Sequence, residues 1–253
     1  MEKLPAATGW QWIKQGFSLF RKQPAELSTL FLSYMFLMMV ITILPLVGQL
    51  LPLVLVPVFS MAFMQACVQV EKGQRVYPNL LLTGFRSPAF KTLLILGLLY
   101  VLAAVVAIGA SALIDGGVFW NVMTGSARVD AKTVQGSGIT LAMLVAALLY
   151  TPAAMAFWFA APLVMWQRMG LGKALFFSFH AVKRSGRAFT LYGLGWALIG
   201  VVLPLLFSTL LGQLTGSPVL MMMVLLPLSI VLTVVMYCSF YPTYTTLFGQ
   251  APQ

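Results

Sequence analysis

Six stretches of about twenty apolar residues constrain what this chain can fold into. They are Leu27–Leu46, Leu51–Val70, Phe90–Ile114, Ile139–Trp166, Phe189–Leu211 and Val219–Leu247. Each is long enough to cross a hydrocarbon core of about 30 Å as a helix. In hydrocarbon every backbone N–H and C=O needs a partner within its own segment, so an isolated apolar run must be helical. The fourth and sixth runs exceed the bilayer and must tilt, kink or protrude. The sequence therefore predicts an all-α polytopic membrane protein with six transmembrane helices. Composition removes the alternatives. The chain is 60% hydrophobic and 8% charged, whereas a soluble domain carries about 25% charged residues. Disorder would need low hydrophobicity and high charge.

The charges are unevenly placed. There are 15 Lys and Arg against 5 Asp and Glu. Lys3, Lys14, Arg21 and Lys22 precede the first span. Lys72, Arg75, Arg86 and Lys91 join the second to the third, and Arg168, Lys173, Lys183, Arg184 and Arg187 join the fourth to the fifth. The other side holds only Arg128 and Lys132. The positive-inside rule then places both termini in the cytoplasm. The chain reads as a single transmembrane domain over 1–253: an N-terminal interfacial helix in 1–26, spans one to three in 27–114, an external loop in 115–138, and spans four to six in 139–253 with an interfacial helix at 170–188. No cleavable signal peptide is visible.

Two segments have the pattern of amphipathic helices lying in the headgroup plane on the cytoplasmic face. In Gly9–Gln23, Trp10, Trp12, Ile13, Phe17, Leu19 and Phe20 fall on one half and Lys14, Arg21 and Lys22 on the other, until Pro24 ends the helix. In Leu171–Arg187, Leu171, Leu175, Phe179 and Val182 form an apolar stripe, and Lys173, His180, Lys183, Arg184 and Arg187 a basic arc. Ala174, Ser178, Ala181 and Ser185 form a third stripe, small enough to let another helix approach. Tyr77–Arg86 predicts a short third surface helix. Lys14, Arg21, Lys22, Lys173, Lys183, Arg184 and Arg187 are accordingly candidate contacts for anionic lipid headgroups. This explains the basic balance without nucleic acid. A protein partner or a second copy of the chain is also compatible with these surfaces.

A parallel internal repeat is discernible. The first and last pairs of spans each follow a basic amphipathic helix, contain Gly-Gln-Leu (Gly48–Leu50 and Gly212–Leu214) and carry a later proline, Pro57 or Pro227. The third and fourth spans would be an insert.

Chemistry-bearing residues are sparse. No span has an ionisable residue at its centre, where pumps and transporters keep them for function. His180 has no Cys, Asp or Glu at ligand spacing, so no metal site is expected. Cys67 and Cys238 sit in apolar runs and read as small buried hydrophobes. There is no nucleophile elbow, phosphate-binding loop or zinc-protease motif. No catalytic residue, cofactor or enzymatic activity is therefore expected. Asp115 and Asp130 flank the external loop with Phe119, Trp120, Arg128 and Lys132; their use in catalysis would require convergence in a polar pocket. Gln65 and Gln69, one turn apart in the second span, could line a cavity.

Three stretches carry a family resemblance. Gly9-Trp10-Gln11-Trp12 with Gly16-Phe17-x-Leu19-Phe20-Arg21-Lys22-x-Pro24 is one. Gly73-Gln74-x-x-x-Pro78-x-Leu80-Leu81-x-x-Gly84-Phe85 is another, and Ala174-Leu175-x-x-Ser178 the third. Together they resemble an uncharacterised family of six-span inner-membrane proteins from beta-proteobacteria. The last is also similar to the membrane domain attached to some glycerophosphodiester phosphodiesterases. The resemblance implies the fold, the inner membrane and an association with phospholipid metabolism. It carries over no catalytic residue, because this chain holds no phosphodiesterase domain. The leading expectation is a non-enzymatic, lipid-interacting scaffold, accessory subunit or lipid handler. The alternative is a transporter or channel for an uncharged or amphiphilic molecule.

Overall fold

The computed structural model describes residues 4–45, 48, 50–126 and 138–250. The described residues are almost entirely helical. Six helical stretches are long and apolar enough to cross a membrane: Pro24–Thr42, Leu51–Glu71, Phe90–Asp115, Ile139–Met165, Gly186–Leu214 and Pro218–Phe248. In chain order the helices are α1 (Ala7–Lys22), α2 (Pro24–Thr42), α3 (Leu51–Glu71), α4 (Phe90–Asp115) and the short α5 (Val118–Met123). Then come α6 (Ile139–Phe157), α7 (Ala160–Met165), α8 (Leu171–Arg184), α9 (Gly186–Ala197), α10 (Leu203–Thr215) and α11 (Pro218–Phe248). The Tyr77–Arg86 segment contributes one 3-10 turn, Pro78–Leu82. The first span ends at Thr42 rather than Leu46. Pro45 follows closely, and a residue before proline avoids the helical region.

The long runs resolve in different ways. The sixth stays one helix of 31 residues despite Pro227 and Pro242 inside it. The fifth passes through a π turn at Leu198–Val202 just before Pro204, which lacks the N–H needed to continue the ladder. The fourth breaks between α6 and α7, and the agent is Ser178. Its Oγ donates to the Met155 carbonyl at 2.8 Å and accepts from the Phe159 N–H at 2.9 Å. Those two groups would bond each other in an unbroken helix, so the hydroxyl is inserted into the ladder and kinks it.

The spans form three successive hairpins, and each surface element packs on a neighbouring hairpin. The 3-10 turn before α4 lies on α2 and α3, α8 lies on α6 and α7, and α1 lies on α9 and α11. The middle hairpin thus takes a place like those of the other two rather than that of an insert. The span entrances share a weak pattern that reflects this: Arg86-Ser87 with Ala89-Phe90 and Thr92-Leu93 corresponds to Arg184-Ser185 with Ala188-Phe189-Thr190-Leu191. The two Gly-Gln-Leu stretches are not equivalent. Gly48 lies in the connection after α2, whereas Gly212–Leu214 is the last turn of α10.

The core sits at the basic end. It is built from Leu27–Phe31 of α2, Leu55–Val70 of α3, Leu93 and Leu96 of α4, Phe159–Val164, and Val234–Tyr244 of α11. Toward the opposite end the hairpins separate. None of residues 203–214 of α10 is fully buried, and α11 is half-buried there only at helical spacing, at Met221, Leu225 and Leu228. Glycines set the closest approaches. Gly97 of α4 lies against the Val54 backbone, and a Cβ there would overlap it. Gly97→Val should therefore cost about 1–3 kcal/mol by overpacking, read as a lower thermal midpoint in lipid nanodiscs. The same change at Gly109, which meets open space, should leave the midpoint nearly unmoved.

The N-terminal helix departs from its expected setting. Much of its apolar side packs against protein. Trp12 and Ile13 are 0% and 1% exposed, Gly9 lies on the Ala188 and Tyr192 backbone, and Gly16 on Ser239. Only Trp10 of the large apolar set is exposed. The physical reason is the pair of glycines, which let α1 sink between α9 and α11 until its tryptophan is enclosed.

Candidate functional site

The exposed cations gather at one end. Lys14, Arg21 and Lys22 on α1, Lys173, Lys183 and Arg184 on α8 and Arg187 on α9 are all solvent-exposed. Lys183 lies 5.8 Å over the Phe179 ring. The nearby acids are engaged elsewhere. Glu26 pairs with Arg75 at 3.2 Å, and Glu71 accepts from the Tyr241 hydroxyl at 2.7 Å. Glu26–Arg75 is the one ion pair among the described residues, so none of the seven candidate cations is in a salt bridge, although Lys22 and Glu71 border the same surface hollow. Gln23 fixes this end further. Its Nε2 donates to the Gln74 carbonyl at 2.7 Å and its Oε1 accepts from Val76 N–H at 3.0 Å. The small-residue stripe of α8 packs as expected, with Ala174, Ser178, Ala181 and Ser185 all buried.

Between the second-to-third connection and the turn after α7 lies a groove of about 940 Å³. Gln65, Asn79, Thr83, Ser87 and Thr92 supply polar groups, Trp166 an aromatic wall, and Arg86 and Arg168 the only charges. Arg168 stands in the left-handed region at φ 51°, a conformation that costs a side chain about 1–2 kcal/mol. The Met169 N–H reaches back to the Leu163 carbonyl at 3.2 Å, closing the helix end and holding that arginine at the groove. Gln65 lines the groove and Gln69 does not. Gln69 lies in the last turn of α3, where its carbonyl accepts from the Gln74 N–H beyond the helix end, and its side-chain oxygen is buried without a hydrogen-bond partner.

A second space of about 340 Å³ lies deeper among the spans. Ser60, Phe63 and Met64 of α3, Tyr100 of α4, Ala161 and Pro162 of α7, and Tyr237 and Phe240 of α11 line it. Phe63 and Tyr237 stack there at 4.4 Å between centroids. The Tyr100 hydroxyl donates to the Phe157 carbonyl exposed by the kink, at 3.2 Å.

The remaining chemical candidates have structural partners. Asp115 accepts from the N–H groups of Gly117 at 2.9 Å and Phe119 at 2.6 Å, and so caps α5. Asp130, Arg128 and Lys132 lie outside the described residues. His180 is exposed, its Nδ1 3.0 Å from the Phe176 carbonyl and its ring against that of Phe176. Cys67 and Cys238 are buried and free, and the Cys67 Sγ lies 3.9 Å from the Cys238 carbonyl.

A curated protein of Burkholderia thailandensis, named a probable inner membrane protein, is 39% identical over 252 residues, covering 98% of this chain and 93% of that protein. This chain belongs to the same family. With six apolar spans, that kinship makes it an integral membrane protein and supports an inner-membrane location. No family model and no solved structure matches it. The similarity to the membrane domain of glycerophosphodiester phosphodiesterases thus rests only on the residues quoted for it.

Proposed function

We propose that this is a non-enzymatic inner-membrane protein that engages anionic lipid at its cytoplasmic surface, acting as a scaffold, accessory subunit or lipid handler. The observation that carries this reading is the set of seven exposed cations on α1, α8 and α9, none of them in a salt bridge and outnumbering the nearby carboxylates. Basic groups held near an anionic leaflet each contribute about 1 kcal/mol of attraction. The same asymmetry sets the orientation, with the basic end and both termini in the cytoplasm.

The test is lipid selectivity in reconstituted vesicles. Brominated phosphatidylglycerol and brominated phosphatidylcholine compete to quench tryptophan fluorescence. The wild type should prefer the anionic lipid, and salt should weaken that preference. Gln at Lys14, Arg21, Lys22, Lys173, Lys183, Arg184 and Arg187 together should remove most of it. Equal quenching by the two lipids in the wild type would overturn the reading.

The alternative, a transporter or channel for an amphiphilic molecule, draws on the deeper aromatic space and on the separation of the hairpins at the far end. Flux of a fluorescent amphiphile across vesicles containing the protein would favour it.

A further inference from the structure

We propose that the groove between the second-to-third connection and the turn after α7 binds a phosphate monoester, with its phosphate held between Arg86 and Arg168. None of the seven candidate lipid contacts lines this groove. Where the ester is a lipid's headgroup, the assignment rests on the lipid reading above; where it is soluble, it stands alone. The charge of the groove has one sign. Arg86 comes from one wall and Arg168 from the other, and among the described residues no carboxylate lines the space. The two acids of the basic end are engaged outside it, Glu26 with Arg75 and Glu71 with Tyr241. Two cations brought to one opening repel each other, and an anion between them turns that repulsion into attraction.

The donor set favours phosphate over carboxylate. One guanidinium fork satisfies both oxygens of a carboxylate. A phosphate monoester has three terminal oxygens and a charge of about −1.5 to −2 at neutral pH, enough for two forks. Neutral groups surround the arginines: Gln65 of α3, Asn79 and Thr83 of the 3-10 segment, and Thr92 of α4. None of these four side chains has a hydrogen-bond partner among the described residues. The Ser87 oxygen accepts from the Ala89 N–H at 3.1 Å, which leaves its proton to donate. The start of α8 adds to the same field. Its cap, Gly170, lines the groove and has no side chain to satisfy the first-turn N–H groups, so the positive helix end lies beside the arginines. The groove has room for more than a phosphate. Its volume of about 940 Å³ is within the range of small-ligand sites, about 300–1,000 Å³. Trp166, held edge-on to Tyr244 at 5.1 Å, gives the esterified group an aromatic wall. Arg168 adds a sign of another kind. A non-glycine residue at φ 51° is kept against local preference, as happens where a side chain is needed at a site.

The test uses the full chain in phosphatidylcholine nanodiscs. Two soluble probes of similar size, phenyl phosphate and benzoate, are titrated calorimetrically. In a second arm, discs containing a minor fraction of phosphatidic acid are opened in native mass spectrometry and the retained lipid is counted. A phosphate monoester should bind at one per chain. As the soluble probe, phenyl phosphate should bind about tenfold or more tightly than benzoate. Arg86→Gln and Arg168→Gly should each weaken binding about tenfold or more, the loss of a charge-assisted pair. Neither should lower the thermal midpoint, because Arg86 is exposed and glycine relieves the left-handed backbone at 168. Lys72→Gln removes an exposed charge from the same connection as Arg86 but outside the groove, and should leave binding unchanged. One phosphatidic acid per chain that the arginine variants lose, and that blocks phenyl phosphate, identifies a lipid headgroup as the occupant. Phenyl phosphate binding that phosphatidic acid does not affect identifies a soluble ester. Saturable binding of neither probe would overturn the site. So would benzoate binding as tightly as phenyl phosphate, binding that the arginine variants leave unchanged, or an equal loss in Lys72→Gln. The seven outlying cations are intact in every variant, so failure here and failure of lipid selectivity are read separately.

Discussion

Replacing Trp12 by alanine is expected to destabilise the protein by about 3–5 kcal/mol, the range for removing a fully buried tryptophan. The indole is 0% exposed. Its ring packs on Phe189 at 5.1 Å and on Tyr192 at 5.9 Å, and its Nε1 donates to Thr246 Oγ1 at 3.0 Å. Removing it empties a site between α1, α9 and α11 and gives up that hydrogen bond, although the Thr246 hydroxyl keeps its own bond to the Pro242 carbonyl at 2.7 Å. Trp10→Ala, two residues away and 41% exposed, should change stability far less. The pair separates two accounts of α1. A helix resting in the headgroups would lose lipid contact at both positions and stability at neither. A helix built into the bundle loses stability at Trp12 alone. Thermal unfolding of both variants in the same nanodiscs is the check.

Ser178→Ala is expected to be the next most damaging change, although it removes one oxygen atom. The hydroxyl serves both the Phe159 N–H and the Met155 carbonyl, and Ser178 is 0% exposed. Each buried group left unsatisfied costs about 1–3 kcal/mol. Some of that cost can be recovered if α6 and α7 straighten and the two groups bond each other. Straightening would withdraw the Phe157 carbonyl from the Tyr100 hydroxyl and reshape the aromatic space. The variant should therefore lower the thermal midpoint. Ser178→Gly, which removes the same hydroxyl, should lower it too. Cysteine, with a weak donor and a longer bond, should fall between.

The spans were legible because a transmembrane helix is specified locally: length and apolarity suffice, and no distant partner is needed. The burial of the Ala174, Ser178, Ala181 and Ser185 stripe was legible for the same reason, since small residues at helical spacing mark a close helix contact. The depth of α1 was not. An amphipathic pattern is satisfied equally by lipid or by protein, and Trp10 and Trp12 look alike on a helical wheel. Gly9 and Gly16, on the same side as Trp12, were the available signal. The groove was hidden for another reason. Arg86 and Arg168 come from separate connections, and neither belongs to a periodic pattern. Only the packing of α3, α4 and α7 brings them to one opening. Gln65 lines the groove and Gln69 does not, a difference that their spacing alone does not carry. Asp115 reads in the sequence as a loop acid, because a carboxylate among aromatic residues has no mark that shows it to be a helix cap; its two backbone partners show that it caps α5.

The most direct test of lipid engagement at the basic end is the lipid that leaves the native membrane with the protein. The chain would be extracted into polymer-bounded native discs without detergent, and the retained lipids counted by mass spectrometry against bulk membrane from the same cells. The account predicts enrichment of anionic over zwitterionic lipid around the wild type, and a return to the bulk ratio when the seven cations are replaced by glutamine. A wild-type ratio equal to that of the bulk membrane would contradict it.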